Sequence, residues 1–173
     1  MDEHKLQRVI VVGKEFARQR ICFLEASKHE AEGTLPLIIC NNFFDIALLN
    51  WAHLFGNNKD DLHFRNVLDN PDHFKSRLMD VLGLDEVGWQ ENWQNLKNFR
   101  DYRVAHMGSD KSVDVPSLDI AYTCVCEYYN SAISELKLVG SKTYSSKPLE
   151  KFVVQNHDYY SDKVGLVFTA LKN

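Results

Sequence analysis

An arginine, an acid and a histidine stand close together in residues 99–106, which read Phe-Arg-Asp-Tyr-Arg-Val-Ala-His. Arg100 offers a permanent charge and a planar fork of donors that suits phosphate oxygens. His106 can carry a proton, because an unperturbed imidazole titrates near neutrality. In one cleft they could cut RNA without a metal: the neighbouring 2′-OH would attack, leaving a 2′,3′-cyclic phosphate, and Arg100 would stabilise the charged transition state. Asp101 could orient the Arg or the His by hydrogen bonding.

The spacing of these residues leaves two arrangements open. On a regular helix, Arg100 and His106 are about 9 Å apart along the axis and about 120° apart around it. Either the helix ends so that His106 swings round, or Arg100 of one subunit works with His106 of another. Arg103 lies one turn from His106 and shares its face, so it is a second candidate for holding a phosphate. Tyr102 beside it is a candidate for contacting a base.

The same residues also have a plain structural interpretation. A helix end rich in Arg, Asp and His is often a solvated surface, where a terminal His meets the helix dipole favourably. The aromatic residues of this segment could stack on bases, but their helical spacing favours the core or a dimer interface. They are Trp89, Trp93, Phe99 and Tyr102.

Apolar residues recur at three- and four-residue steps through most of the chain, which predicts an all-α fold. The first predicted helix is long and ends near Gly33, and the second is capped by Thr34 and ends near Gly56. A short helix over 60–68 and one from Asn70 to near Gly83 follow. The next is capped by Asp85, carries the motif on its last turns and ends at 106–108, and the last runs from Val115-Pro116 to Gly140. We predict an up-and-down helical bundle over residues 1–139. Residues 140–173 are predicted to be a short C-terminal helical extension that packs on it, with two weaker helices at 149–155 and 163–172.

Composition limits the function classes. The chain has 173 residues, 45% of them hydrophobic, and a formal net charge of −4, which argues against a broad basic nucleic-acid coat. Any RNA contact must be local. No stretch approaches the roughly 18 apolar residues of a membrane span and no signal-peptide core is present, so we expect a cytoplasmic protein without a membrane partner. The four cysteines are expected to be reduced and buried.

Other site types find little support in the sequence. His53, His63 and His73 lack the spacing of a helical zinc site and are interpreted as solvated surface. The Asp residues of segment 60–72 lack the Gly and Glu of a calcium loop. The chain has no phosphate-binding Gly-rich loop and no serine nucleophile elbow. We therefore predict no metal and no cofactor.

Residues 99–106 resemble the R-x(4–6)-H motif of HEPN domains, with a polar residue after the Arg and Ala before the His. Asn50-Trp51 with Phe55 before Gly56, and the Val-Pro start of the next helix, are similar to the branch related to phage abortive-infection proteins. The resemblance extends over residues 35–138 in general pattern. It implies an all-α homodimer whose two motifs face a shared cleft, with Arg100, His106 and Asp101 as the site.

Many members of that family are metal-independent endoribonucleases in phage defence or toxin–antitoxin systems. The resemblance therefore implies RNA as the substrate and an antitoxin or nucleotidyltransferase as a possible partner. The alternatives are a non-catalytic HEPN module that binds RNA, nucleotide or a partner protein, and a helical scaffold. The segments 37–55 and 89–102 carry more large apolar side chains than one small bundle face needs, which also favours a two-fold dimer.

Overall fold

The computed structural model describes residues 2–105, 115–141 and 147–171, and for residues 30–32 and 103–105 it describes the backbone alone. The described residues form seven α-helices and no β-strand, so the all-α helical bundle is confirmed. The helices are α1 Glu3–Ala26, α2 Thr34–Phe55, α3 Phe64–Val67, α4 Pro71–Leu82, α5 Glu86–Ala105, α6 Leu118–Leu138 and α7 Leu149–Leu171. A 3-10 turn, Ser27–Glu32, joins α1 to α2.

The long helix α1 is the centre of the packing. It lies against α2, α6 and α7, and α5 crosses α2 on another side. Gly13 of α1 shows why the apolar stripe of that helix includes a glycine: a Cβ there would be 2.8 Å from the Tyr129 ring of α6. The apolar residues that recur at three- and four-residue steps are buried from Leu6 to Ile21 because they meet α2 and α6, whereas Leu24, the last of the series, is 43% exposed.

Several predicted helix ends are confirmed. The Asn70 side chain accepts a hydrogen bond from the His73 amide at 3.1 Å, and the Asp85 carboxylate accepts one from the Gly88 amide at 2.8 Å. Gly83 and Gly140 end α4 and α6 with φ of 64° and 71°, a backbone conformation that glycine adopts without strain.

Other boundaries were predicted wrongly. Thr34 is inside α2, and Gly33 at φ 135° precedes it, so no side chain caps this end. The last bundle helix begins at Leu118 rather than at Val115-Pro116, because Ser117 caps it through the Asp119 amide at 3.1 Å. The short helix predicted over 60–68 is limited to α3, since Asp60 instead caps the turn before it.

The C-terminal part is one continuous helix, α7, where the sequence predicted two. The polar stretch in its middle suggested a break. Tyr160 holds that stretch against α1, because its hydroxyl accepts a hydrogen bond from Arg18 Nε at 3.1 Å and its ring lies beneath the guanidinium. The ends of α7 are fixed by buried Leu149 and Phe168. The division at residue 139 into a bundle and an extension stays a prediction.

One helix is more apolar than the sequence analysis expected. Among the described residues, Thr34–Phe55 alone is long and apolar enough to cross a membrane, with a mean hydropathy of 1.3. This is weak evidence for a span, since the core helices of soluble proteins satisfy the same criterion. Its face toward α1, α5 and α6 belongs to the main hydrophobic core.

Candidate functional site

Arg100 and Asp101 form an ion pair within one chain, two turns after Trp93 on α5. Asp101 Oδ1 accepts a hydrogen bond from Arg100 Nε at 2.8 Å and a second, short one from Arg100 Nη2. The Arg100 side chain is 21% exposed. Of the two roles that the sequence left open for Asp101, the structure brings it to the Arg of its own subunit.

Lys97 completes this cluster from one turn earlier on α5. Its Nζ lies 3.1 Å from Asp101 Oδ2, so each carboxylate oxygen of Asp101 meets a cation. Partial burial raises the pKa of Asp101, but the hydrogen bonds and charges of Arg100 and Lys97 together lower it by more, so the net shift is downward. Asp101 is therefore ionised at neutral pH, and the cluster holds two cations and one anion.

The Arg100 guanidinium lies at the end of α2. Asp101 contacts its Nε and Nη2 edge, whereas Nη1 lies beside Gly56, where an added Cβ would be only 3.1 Å away. Gly56 ends α2 through a hydrogen bond from its amide to the Ala52 carbonyl at 2.8 Å. The small residue at this position therefore decides how closely α5 can bring Arg100 to the end of α2.

The last carbonyl of α2 fixes α5 in place. Phe55 accepts a hydrogen bond from the indole Nε1 of Trp93 at 2.6 Å. The backbone of Phe55 is also hydrogen-bonded to His63, whose Nδ1 accepts from the Arg65 amide at 3.2 Å. A C-terminal helix carbonyl needs such donors when it is buried, and here two rings supply them.

His63 is a correction to the sequence analysis, which placed it on the solvated surface. The side chain is only 2% exposed, and its ring packs on Phe64 at 4.5 Å between centroids. Burial, with a smaller contribution from the Arg65 charge, lowers the pKa of His63 to about 4. His63 is therefore neutral and has a structural role: it caps α3 by accepting from the Arg65 amide, and it is hydrogen-bonded to the backbone of Phe55 at the end of α2.

Sequence reasoning missed a histidine–aspartate pair at the same end of α2. His53 Nδ1 lies 2.9 Å from Asp60 Oδ2, while the His53 side chain is 59% exposed. His53 is one turn before Gly56 on α2. The available signal was a His in the last turn of a helix with an Asp seven residues later, across a Gly-Asn-Asn turn.

The remaining motif residues are only partly described. Tyr102 is half-buried on α5. Arg103 lies on the same helix, where the structure describes its backbone alone. His106 lies outside the described residues. Since α5 remains helical through Ala105, Arg100 is not in a fraying turn. Both arrangements of Arg100 and His106 therefore stay open.

The aromatic series lies mainly in the core, as its spacing predicted. Trp89 and Phe99 are 7% and 3% exposed, and the Phe99 ring meets Phe44 of α2 edge to face at 5.4 Å. Trp93 is half-buried. Across the part of the chain that the structure describes, no three His, Cys, Asp or Glu side chains come together as metal ligands would.

Comparisons with known proteins give no relative. No protein-family model, no curated protein and no solved structure matches this chain.

Proposed function

We propose that this protein is a metal-independent endoribonuclease of HEPN type, acting as a toxin or phage-defence effector. The observation that carries the proposal is the Arg100 guanidinium, held by Asp101 beside the buried end of α2 and 21% exposed, on the helix that precedes His106. A guanidinium whose direction is fixed before substrate binds needs no reorganisation in the transition state.

In this mechanism the substrate RNA supplies its own nucleophile. His106 takes the proton of the 2′-OH as the oxygen attacks the adjacent phosphorus. The P–O5′ bond breaks to leave a 2′,3′-cyclic phosphate, and the imidazolium of His106 returns the proton to the departing 5′-oxygen. Arg100 stabilises the phosphorane oxygens, with Arg103 as a second cation and Tyr102 as a contact to the RNA. Asp101 positions Arg100. No metal and no cofactor takes part.

The alternative is a non-catalytic HEPN module that binds RNA, nucleotide or a partner protein. The observation that favours it is the occupation of the guanidinium: Asp101 already uses Nε and Nη2, and Nη1 lies beside the buried Gly56, which leaves little of the group for substrate. An Arg neutralised in this way binds a phosphate less strongly than a free one. Absence of cleavage with retained RNA binding would support this alternative.

We propose that the protein acts as a homodimer. Ile38, Ile46 and Leu49 of α2 are 49%, 41% and 38% exposed. At 100° per residue, Ile38 and Leu49 project in nearly the same direction as Gly56, so the exposed apolar face leads toward Arg100. Covering that face with a second copy would bring two motifs toward one cleft. Light scattering at micromolar concentration should give the mass of a dimer, and a monomer would contradict it.

The function is tested by RNA cleavage with purified protein. Arg100→Ala and His106→Ala should each lower cleavage by about a hundredfold or more, and Arg100→Lys should restore little, because a point charge cannot replace the planar fork. Cleavage should survive EDTA. Thermal melts should show all variants folded.

Two results would contradict the assignment. If His106→Ala cleaves at the wild-type rate while His53→Ala or Arg103→Ala is inactive, the motif has been misassigned. If EDTA abolishes cleavage and Mg²⁺ restores it, the mechanism is a different one.

We propose that the protein acts in the cytoplasm, where its buried free thiols would stay reduced. We propose an antitoxin or nucleotidyltransferase as its regulator.

A further inference from the structure

A separate pocket lies between α3, α4, α5 and the turn that follows α2. Its volume is about 170 Å³, and its lining includes Trp89, Trp93 and Gln90 of α5, Asn58 of the turn and Lys75 of α4. Pockets that enclose whole small molecules measure roughly 300–1,000 Å³. This one therefore has room for one ring system and not for a complete nucleotide.

The charges around the pocket are already paired. Lys75 Nζ lies 2.6 and 2.8 Å from the two carboxylate oxygens of Glu86, and Arg65 lies 3.5 Å from Asp72. His63, which also lines it, is neutral at pH 7 because burial lowers its pKa to about 4. The pocket has little net charge to offer a phosphate, and an uncharged ligand suits it better.

The side chains that remain are aromatic rings and carboxamides. The Trp93 ring is fixed by the hydrogen bond from its Nε1 to the Phe55 carbonyl at 2.6 Å. Trp89, which is 7% exposed, contacts Phe55 edge to face at 6.4 Å between centroids and is held in the core, so the half-buried Trp93 offers the more accessible aromatic surface. Carboxamides donate and accept in the same plane, as the edges of nucleobases require.

We propose that this pocket binds one nucleobase, with the indole of Trp93 supplying aromatic surface and Asn58 and Gln90 supplying hydrogen bonds. The base can belong to a free nucleoside or to single-stranded RNA. Stacking against aromatic residues is a common mode of single-strand binding.

The position of the pocket relative to the Arg100 cluster favours RNA as the source. Trp93, Lys97 and Arg100 are spaced four and three residues apart and share one face of α5, over about 10 Å of helix. A base in the pocket and a phosphate at Arg100 would thus belong to one short stretch of RNA. This step rests on the proposed function, for which the pocket would set the base preference near the cut.

The test begins with free ligands and the intact protein. Uridine, cytidine, adenosine and guanosine are titrated separately while tryptophan emission is recorded, with ribose 5-phosphate as the ligand that lacks a base. At least one nucleoside should change the emission in a saturable way, and ribose 5-phosphate should not. The second arm compares a short single-stranded RNA with the same RNA carrying abasic positions, which should bind more weakly.

Matched variants locate the effect. Gln90→Ala removes a carboxamide that lines the pocket, whereas Asn95→Ala removes an exposed carboxamide elsewhere on the same helix. Gln90→Ala should weaken nucleoside binding about fivefold, the usual cost of one hydrogen bond, and Asn95→Ala should leave it unchanged. Equal affinities for all three proteins, or no binding of any nucleoside, would overturn the proposal.

The two proposals fail separately. If nucleosides bind and Gln90→Ala weakens their binding while no RNA is cut, the nucleobase pocket is supported and the ribonuclease mechanism is contradicted. If RNA is cut at the same rate with and without the base, and Gln90→Ala behaves as Asn95→Ala, the mechanism stands and the pocket does not.

Discussion

Gly56 leaves the space in which the Arg100 guanidinium lies. A Cβ on Gly56 would be 3.1 Å from Arg100 Nη1 and 2.7 Å from the Ala52 carbonyl oxygen. Gly56 has φ −82°, which any residue can adopt, so the reason for a small residue here is the close approach and not the backbone conformation. The end of α2 and the motif on α5 are therefore fitted to one another at this point.

Gly56→Ala should lower RNA cleavage, because the new methyl group would be 2.7 Å from the Ala52 carbonyl oxygen and 3.1 Å from Arg100 Nη1, so both the end of α2 and the guanidinium must shift. A misplacement of about 1 Å in a catalytic group can cost as much as a hundredfold in rate, and a shift of a few tenths of an ångström should cost less than that. The measurement is kcat/KM for RNA cleavage with a thermal melt of the same preparation. Gly165→Ala, in α7 with open space around it, is the control. Unchanged kcat/KM in a folded Gly56→Ala protein would mean that Arg100 does not depend on this contact.

Gly13→Ala should destabilise the fold although alanine favours helix. The new Cβ would be 2.8 Å from a ring atom of Tyr129, which is 1% exposed and has no room to move. Overpacking of this kind typically costs about 1–3 kcal/mol. Gly165→Ala is also inside a helix but meets nothing within 4 Å, so it should stabilise by up to about 1 kcal/mol. Urea unfolding of both variants measures the contrast, and equal shifts would contradict the Tyr129 contact.

The free energy of unfolding should fall below pH 6.5 because of His63. The pKa of His63 is about 4 in the folded protein, against 6.5 for an unperturbed imidazole, so between these values the unfolded chain binds a proton that the folded chain does not. This favours unfolding, by about 2 kcal/mol on going from pH 7.5 to pH 5.

The control for this effect is His63→Asn. An Asn side chain can still accept from the Arg65 amide and donate to Phe55, but it does not titrate. Urea unfolding at several pH values should show a steeper loss for the wild type than for the variant. Parallel curves would show that His63 is protonated as easily in the folded protein as in the unfolded one.

The four cysteines should react slowly with a thiol reagent in the native protein and rapidly in denaturant. All are free and buried. Burial raises the pKa of Cys22 and Cys124, and raises that of Cys126 to about 12, so little reactive thiolate is present at pH 8. Cys22, the most exposed at 7%, should be modified first. Immediate reaction of all four would contradict this packing.

The sequence by itself determined several helix ends, namely both ends of α4, the start of α5 and the end of α6. Asn70, Asp85, Gly83 and Gly140 act within a few residues of their own position, since capping and left-handed glycine are local effects. The apolar period along α1 likewise identified its buried face, and the burial of the cysteines followed from their apolar surroundings. Local chemistry is sufficient for all of these features.

Only the tertiary structure decided which residues of different helices contact one another. The contact that joins the middle of α7 to α1 is made by Arg18 and Tyr160, which are 142 residues apart. The burial of His63 depends on how the turn after α2 meets the backbone of Phe55. The position of Arg100 depends on how α5 meets the Phe55 carbonyl, through Trp93, and the backbone of Gly56. A periodic pattern gives the direction of a side chain from its own helix but not the partner that it meets, because that partner comes from a distant part of the chain.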